Sequence, residues 1–553
     1  MQNGFTADDV IYKDVVIIGN GPSGICLSYM LAGNWPYYTG EPHPVDDMLT
    51  ARLRFSTTRT WNEDCDDATN DMNTDATTNN RRKCCKPGRM QGDGLARSTR
   101  YKLESLSSGI EGRGGGRPLA LLMDQLHHPS VDTGLDVTSL LYWRSADEHP
   151  DHKIVDHVVL GKGQPGGAWQ SMDPNVLTIS LSRWMSLPDF DLRHWEKLIE
   201  AEKLQKSILA SEKDMYTRQE KSSKKSSRIS MGTVAAYYKD YVRRKNLERY
   251  FRCGTTVTSV RSDTDSPDSK GGYNWIVNGY ENKSKKRFRY RCKRVVLATG
   301  TTDLVNHLGV PGEKTHLDWV THDLVDLETH LERLAGKRSK DSVDEQKPVL
   351  IVGAGLSAAD AIMAARFRGI SVLHAFRNSS SEWGKETAER IITSYDRLQW
   401  LPNSIYPEYH KVYEMMADGG TNYSLYKSLA GYTVVSLNED RKNENMSGKK
   451  TATLSAPNGE LHTFEVSAVA ILIGYKPDLS YLEGGGLGLG KFADKLIDSK
   501  SNPIEIDDFT YEVMKSPTKG LYALGPLVGD NFVRFVLGGA FGILAHILCT
   551  MNT

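Results

Sequence analysis

The 553-residue sequence has no surplus of either charge, with 69 Lys plus Arg against 69 Asp plus Glu. That balance excludes a chain that binds nucleic acid or anionic lipid by overall electrostatic attraction. Cysteine is scarce: seven residues, an odd number, with no CxxC or CxxxxC spacing among them. So few cysteines exclude a disulfide framework, and the missing pair excludes a reductase that works through a cysteine couple beside a flavin. Cys84 and Cys85 are adjacent, which is not a zinc half-site, and no metal-ligating motif is seen elsewhere. This usage suits a reducing compartment, so a cytoplasmic location is expected. The opening residues, MQNGFTADDVIYKD, are polar and acidic and do not read as a secretory signal. Long hydrophobic runs are lacking too. The nearest, Phe532 to Cys549, contains Arg534, His546 and three glycines, so it reads as a buried core helix and not a transmembrane span.

What the sequence does have is glycine in a repeated arrangement. "DVVIIGNGPSGICLSYM", 14–30, and "KPVLIVGAGLSAADAI", 347–362, each read as an apolar strand, a turn and a helix. The turns are Gly19-x-Gly21-x-x-Gly24 and Gly353-x-Gly355-x-x-Ala358. In such a turn the first glycine permits a tight bend, and the second lets backbone approach a pyrophosphate. The third small residue lets helix and strand pack closely. The helix N-terminus then favours the anion. Placement between a strand and a helix is what makes the motif specific.

Further buried strands are expected at "HVVLG", "RVVLATG", "ISVLHAF" and "SAVAILIG", alternating with helices such as "PLALLMDQLHH" and "MGTVAAYYKDYVRRK". This alternation predicts parallel sheets and an α/β fold with two Rossmann-like dinucleotide-binding domains. The FAD-binding domain is discontinuous (1–54, 119–340 and 471–553), and the NADPH-binding domain (345–470) is inserted into it. Residues 55–118 are polar and Gly-rich, and are expected to be a disordered insertion. The tract 218–230, "RQEKSSKKSSRIS", reads as a second flexible loop, and "YPEYHKVYEMM", 406–416, as an amphipathic helix.

The second cradle is followed by a strand ending at Arg377, where an acidic residue would otherwise select a free ribose hydroxyl. A guanidinium fork suits a 2′-phosphate, which points to NADPH. The first cradle is then left for FAD, and two cradles make a donor and an acceptor of hydride in one chain. Gly529 and Asp530, at the start of the last apolar helix, are expected to place a carboxylate near the flavin's ribityl chain.

In chain order, "GNGPSG", "PGGAW", "VVLATG", "GAGLSAAD", "LIGYKPD" and "GDNFVRF" resemble the flavin-containing monooxygenases. The runs "GKGQPGGAW", "RWMSLPDF", "YPEYHKV" and "GPLVGDNFVRFVLGGA" are more similar still to the oxidative stress-induced growth inhibitor family. The resemblance implies a flavoprotein fold, NADPH-dependent monooxygenation of a nucleophilic nitrogen or sulfur, and a role in restraining growth or division. It also implies that Gly166, Gly167 and Trp169 belong to the FAD site.

The sequence departs from the monooxygenase pattern in three places. Leu160 or Gly161 stands where a ribose-binding Glu is expected. The fingerprint around "VPGEKTHLDWV" keeps Gly312 and His316 but has Val310 and Val320 at its apolar ends. Ile179, Ser180 and Ser182 occupy the run that holds the flavin-facing Asn. Two alternatives therefore stay open beside a monooxygenase: an NADPH oxidase-like peroxide producer, and a non-catalytic growth-regulatory scaffold or NADPH sensor. No catalytic residue emerges. The substrate, whether a small molecule or a protein side chain, and any regulatory protein partner stay unidentified.

Overall fold

A computed structural model describes residues 10–55, 95–98, 100–110, 116–129, 137–210, 228–265, 267–313, 317–336, 347–377, 405–440 and 448–551. The chain forms two compact units, residues 1–301 with 477–553, and residues 302–476.

The larger unit is built on a seven-stranded sheet. Its centre is the strand Val10–Ile18, whose "VVII" end is buried on both faces, as a parallel strand between helical layers must be. Val10–Ile18 pairs in parallel with His157–Gly161 on one side and with Arg287–Leu297 on the other. Phe251–Cys253 continues the parallel order beyond His157–Gly161. The long strand Arg287–Leu297 serves two neighbours. Its first half pairs antiparallel with Trp275–Glu281, and its apolar end pairs in parallel with Leu521–Ala523.

The helix Pro22–Leu31 follows the first strand, with Pro22 supplying a pre-set φ where no amide is needed. Every residue from Ser23 to Leu31 is buried, so this helix lies inside the unit. It packs against the C-terminal helix Val536–Met551. That helix lies in the run Val533–Met551, which is long and apolar enough to cross a membrane and is mostly buried in the structure. A Cβ on Gly538 would lie 2.4 Å from Ala120 Cα, so glycine is what lets this helix cross Pro118–His127 closely. Arg534 and Asp124 form a buried ion pair at 2.6 Å beside that crossing.

The smaller unit carries a five-stranded, all-parallel sheet in the spatial order Val320–Thr321, Ala468–Ile471, Val349–Val352, Val372–Phe376, Tyr426–Ala430. A three-stranded antiparallel sheet, Thr433–Asp440, Lys449–Ser455 and Leu461–Glu465, and a short antiparallel pair, Leu304–Val305 with Tyr475–Lys476, are the rest of its β structure among the described residues. Pro407–Ala417 is helical and buries Tyr409, Val412, Met415 and Met416, the amphipathic packing expected of 406–416.

One expectation needs correcting. Within 55–118, Leu95–Arg97 is a 3₁₀ turn and Arg100–Ser107 an α-helix, and Ala96, Leu103 and Leu106 are buried in the main core. A tract judged by its polar average hid three apolar anchors. Cys84, Cys85 and most of 218–230 lie outside the described residues.

Two glycine cradles as candidate cofactor sites

Both cradles fold as strand, turn and helix. Gly19 has φ +115°, and a Cβ there would lie 2.2 Å from Ala298 O. Gly353 has φ +127°, and its Cβ would lie 2.3 Å from Leu472 O. Only glycine fits such positions. Gly24 and Ala358 are buried at the helix–strand contact, where a Cβ on Gly24 would come within 2.1 Å of Gly19 O. The middle glycines are different. A Cβ on Gly21 would meet nothing nearer than Gly166 O at 4.0 Å, and one on Gly355 would meet nothing. The side-chain position of each middle glycine is therefore free of close neighbours.

The N-termini of the two cradle helices also lack side-chain caps. Met231–Arg244 is capped, with Ser230 Oγ accepting from Thr233 N, whereas Pro118–His127 and Pro407–Ala417 also start without a side-chain cap, so it is the glycine at the cap position that sets the cradles apart. The two cradle helices begin at Gly21 and Gly355 and leave their first amides for another partner. An uncapped N-terminus that begins at such a glycine fits a pyrophosphate.

The larger unit gathers further predicted residues around its cradle. Gly166 N donates to Asn20 O at 2.8 Å, and a Cβ on Gly167 would lie 3.1 Å from Gly21 Cα, so the Gly166–Gly167 turn lies against the cradle. Trp169 is partly buried beside Tyr238, their ring centroids 6.0 Å apart. Gly525 faces Ser23, which brings the loop bearing Gly529 and Asp530 to the first turn of the cradle helix. Asp530 is itself buried and accepts from Tyr511 Oη at 2.9 Å. Burial pushes its pKa up to about 6, against the pull of Arg117 and the Tyr511 hydrogen bond.

At the strand end where the carboxylate is absent, the structure has a polar side chain that sequence reading missed. A Cβ on Gly161 would lie 2.2 Å from the Asn20 side chain, whose amide fills that space and donates to Gly163 O at 2.8 Å. Asn20, inside the first cradle, is thus the polar group at the strand end. Of the run expected to face a flavin, Ser182 Oγ is engaged by Arg193 Nε at 2.9 Å, and Thr178 Oγ1 donates to Ser180 O at 2.7 Å.

In the smaller unit Arg377 is exposed immediately after the strand Val372–Phe376, where the sequence placed it. His374, inside that strand, was read only as part of an apolar run. It is fully buried, with Nε2 2.6 Å from Gly353 O and Nδ1 2.9 Å from Tyr426 Oη. A carbonyl only accepts, so Nε2 carries the proton and Nδ1 accepts from the tyrosine. Burial lowers its pKa to about 4, against the Gly353 hydrogen bond. The neutral ring fixes the carbonyl of the cradle's first glycine. His157 in the larger unit is also buried, at the other end of its sheet from the cradle: Nδ1 bonds Val155 O and Nε2 bonds Ser28 Oγ, both at 2.8 Å. Gly312 packs tightly, since a Cβ there would lie 1.8 Å from Leu437 O, whereas His316 lies outside the described residues.

No protein-family model matches the chain. Among solved structures, a bacillithiol disulfide reductase from Bacillus cereus is 14% identical, with a TM-score of 0.49 over 98% of this chain and 99% of that one. Ornithine hydroxylase from Pseudomonas aeruginosa is 11% identical, with a TM-score of 0.48 over 98% and 100%. Neither likeness bears on what the chain does. Comparison with curated sequences is decisive for kinship. Oxidative stress-induced growth inhibitor 1 of Mus musculus is 37% identical over 97% of this chain and 95% of its own length. Oxidative stress-induced growth inhibitor 2 of Homo sapiens is 35% identical over 97% and 93%. The Caenorhabditis elegans homologue is 25% identical over 98% and 95%. The chain, an α/β protein with two strand–glycine-turn–helix cradles, belongs to the oxidative stress-induced growth inhibitor family.

Proposed function

We propose that the chain is an NADPH-dependent flavoprotein monooxygenase that takes part in restraining cell growth. The observation that carries this reading is the pair of helix N-termini at Gly21 and Gly355, both without side-chain caps and both with a middle glycine whose side-chain position has no close neighbour. In this reading FAD is held by Gly19, Gly21, Gly24, Gly166, Gly167, Trp169, Gly529 and Asp530. NADPH is held by Gly353, Gly355, Ala358 and Arg377. FAD held in the first cradle would supply the redox chemistry, hydride acceptance from NADPH and dioxygen activation, which is the cofactor's own.

The protein's part is to bind, orient and exclude water. His374 holds the carbonyl of the second cradle's first glycine, and the Asn20 side chain fills the space beside Gly161 at the strand end. The growth-restraining role is carried over from the relatives, whose names describe growth inhibition induced by oxidative stress.

A second reading, release of hydrogen peroxide, is favoured by Ile179 in place of the flavin-facing Asn and by the prior engagement of Ser182 by Arg193. NADPH, H⁺ and O₂ then give NADP⁺ and H₂O₂. With an oxygen acceptor, the same reactants give NADP⁺, water and the oxygenated acceptor. Oxygen uptake and peroxide are measured together for the FAD-loaded protein, with NADPH and a panel of amines and thioethers. Monooxygenation predicts NADPH consumption with less peroxide than oxygen used. Equal amounts support the second reading. Consumption no faster than with free FAD refutes both.

A further inference from the structure

Apart from the cradles, one group of side chains in the smaller unit has the composition of a ligand set. His307 follows the short strand Leu304–Val305, Glu313 lies six residues further along the chain, and His322 follows the edge strand Val320–Thr321. The His307, Glu313 and His322 ligand atoms all lie within 4.8 Å of one another. Glu313 Oε1 is 2.9 Å from His322 Nε2 and 3.3 Å from His307 Nδ1. Donors about 2.0–2.2 Å from a tetrahedral zinc ion lie roughly 3.3 Å from each other, so the spacing is close to that of a bound ion.

The loop fixes the carboxylate before any ion arrives. Leu308 N donates to Oε1 at 2.9 Å and Gly309 N to Oε2 at 2.7 Å. The Glu313 side chain is fully buried. Its two oxygens are met by the two amides, His322 and His307. A buried carboxylate anion needs a cation or a metal. Among the described residues Glu313 has no lysine or arginine partner, only the two imidazoles. His307 is 44% exposed, so the group opens to solvent on one side.

We propose that His307, Glu313 and His322 form a binding site for a divalent metal ion of the zinc class. Two imidazoles and one carboxylate supply three ligands, and water takes the fourth position from the exposed side. Neutral imidazole and carboxylate suit zinc, and the absence of thiolate argues against softer monovalent copper. The ion ties the 307–313 loop to the edge of the parallel sheet and balances the buried carboxylate.

The test uses full-length, tag-free protein stripped with chelator, then titrated with Zn²⁺ by calorimetry and with Co²⁺ by visible absorption. One equivalent of each should bind, and Co²⁺ should give the intense bands of four-coordinate geometry. His307→Ala, at the exposed edge and therefore gentle on the fold, should weaken Zn²⁺ binding more than about 100-fold, beyond what losing an outer-shell partner costs. His322→Ala should do the same. His462→Ala, a surface histidine beside Glu460, should change nothing. Equal metal uptake by the wild type and the His307→Ala/His322→Ala double variant overturns the proposal, as does a wild type that binds no Zn²⁺.

Discussion

The difference between the first and second glycines of a cradle gives the sharpest prediction. At Gly355, φ is −86° and a Cβ meets nothing, so Gly355→Ala needs no backbone strain. Its lost N-cap preference, under about 1 kcal/mol, is offset by about 0.4–1 kcal/mol from the stiffer unfolded chain. Stability should therefore hardly move. The methyl, however, stands where phosphate oxygens must approach the helix amides. Losing one hydrogen bond to a charged oxygen costs about 1.5–3 kcal/mol, which is roughly a 10- to 150-fold rise in the NADPH Kd.

Gly353→Ala should behave in the opposite way. There φ is +127° and Leu472 O lies 2.3 Å from the new Cβ. Left-handed strain of about 1–2 kcal/mol adds to overpacking of about 1–3 kcal/mol, so this variant should be unstable before any ligand is added. Thermal unfolding and NADPH titration of the two variants side by side separate the effects. Wild-type NADPH affinity in a folded Gly355→Ala protein refutes the assignment of that turn as a phosphate seat.

Arg377→Ala should raise the Kd for NADPH about tenfold or more while leaving NADH unchanged, as two parallel titrations will show. Equal effects on both would remove Arg377 from the 2′-phosphate. Arg534→Ala leaves Asp124 buried without its guanidinium partner, and chemical denaturation should register a loss of about 3–5 kcal/mol. For His374, a folded pKa of about 4 lies below the unfolded value near 6.5, so its contribution is present above pH 6.5 and is lost as pH falls towards 4. The stability gap between wild type and His374→Gln should narrow by about 3 kcal/mol between pH 7 and pH 4. A gap that stays constant would mean the ring is not held neutral.

The cradles were legible in the sequence because they are local: strand, turn glycines and helix lie within one short stretch. Arg377 was legible for the same reason, standing at the end of the next strand. What stayed hidden depended on residues brought together by the fold. Asn20 looks like a spacer between two glycines until the sheet places it in the side-chain space of Gly161. His374 was absorbed into an apolar strand, since alternation says nothing of a ring that reaches a carbonyl in the neighbouring turn. The helix Arg100–Ser107 was concealed by the polar average of the tract around it. His307, Glu313 and His322 match no motif spacing, and only the loop geometry joins them.

The central claim is that one chain grips two different dinucleotides, one in each unit, and passes hydride between them. Anaerobic titration of the FAD-loaded protein with NADPH, followed at the visible flavin band, tests it most directly. The account predicts stoichiometric bleaching in wild type, and bleaching slowed at least about tenfold at equal, sub-saturating NADPH in Gly355→Ala. A purified, folded protein that takes up no FAD, or whose bound flavin stays oxidised under excess NADPH, would contradict it.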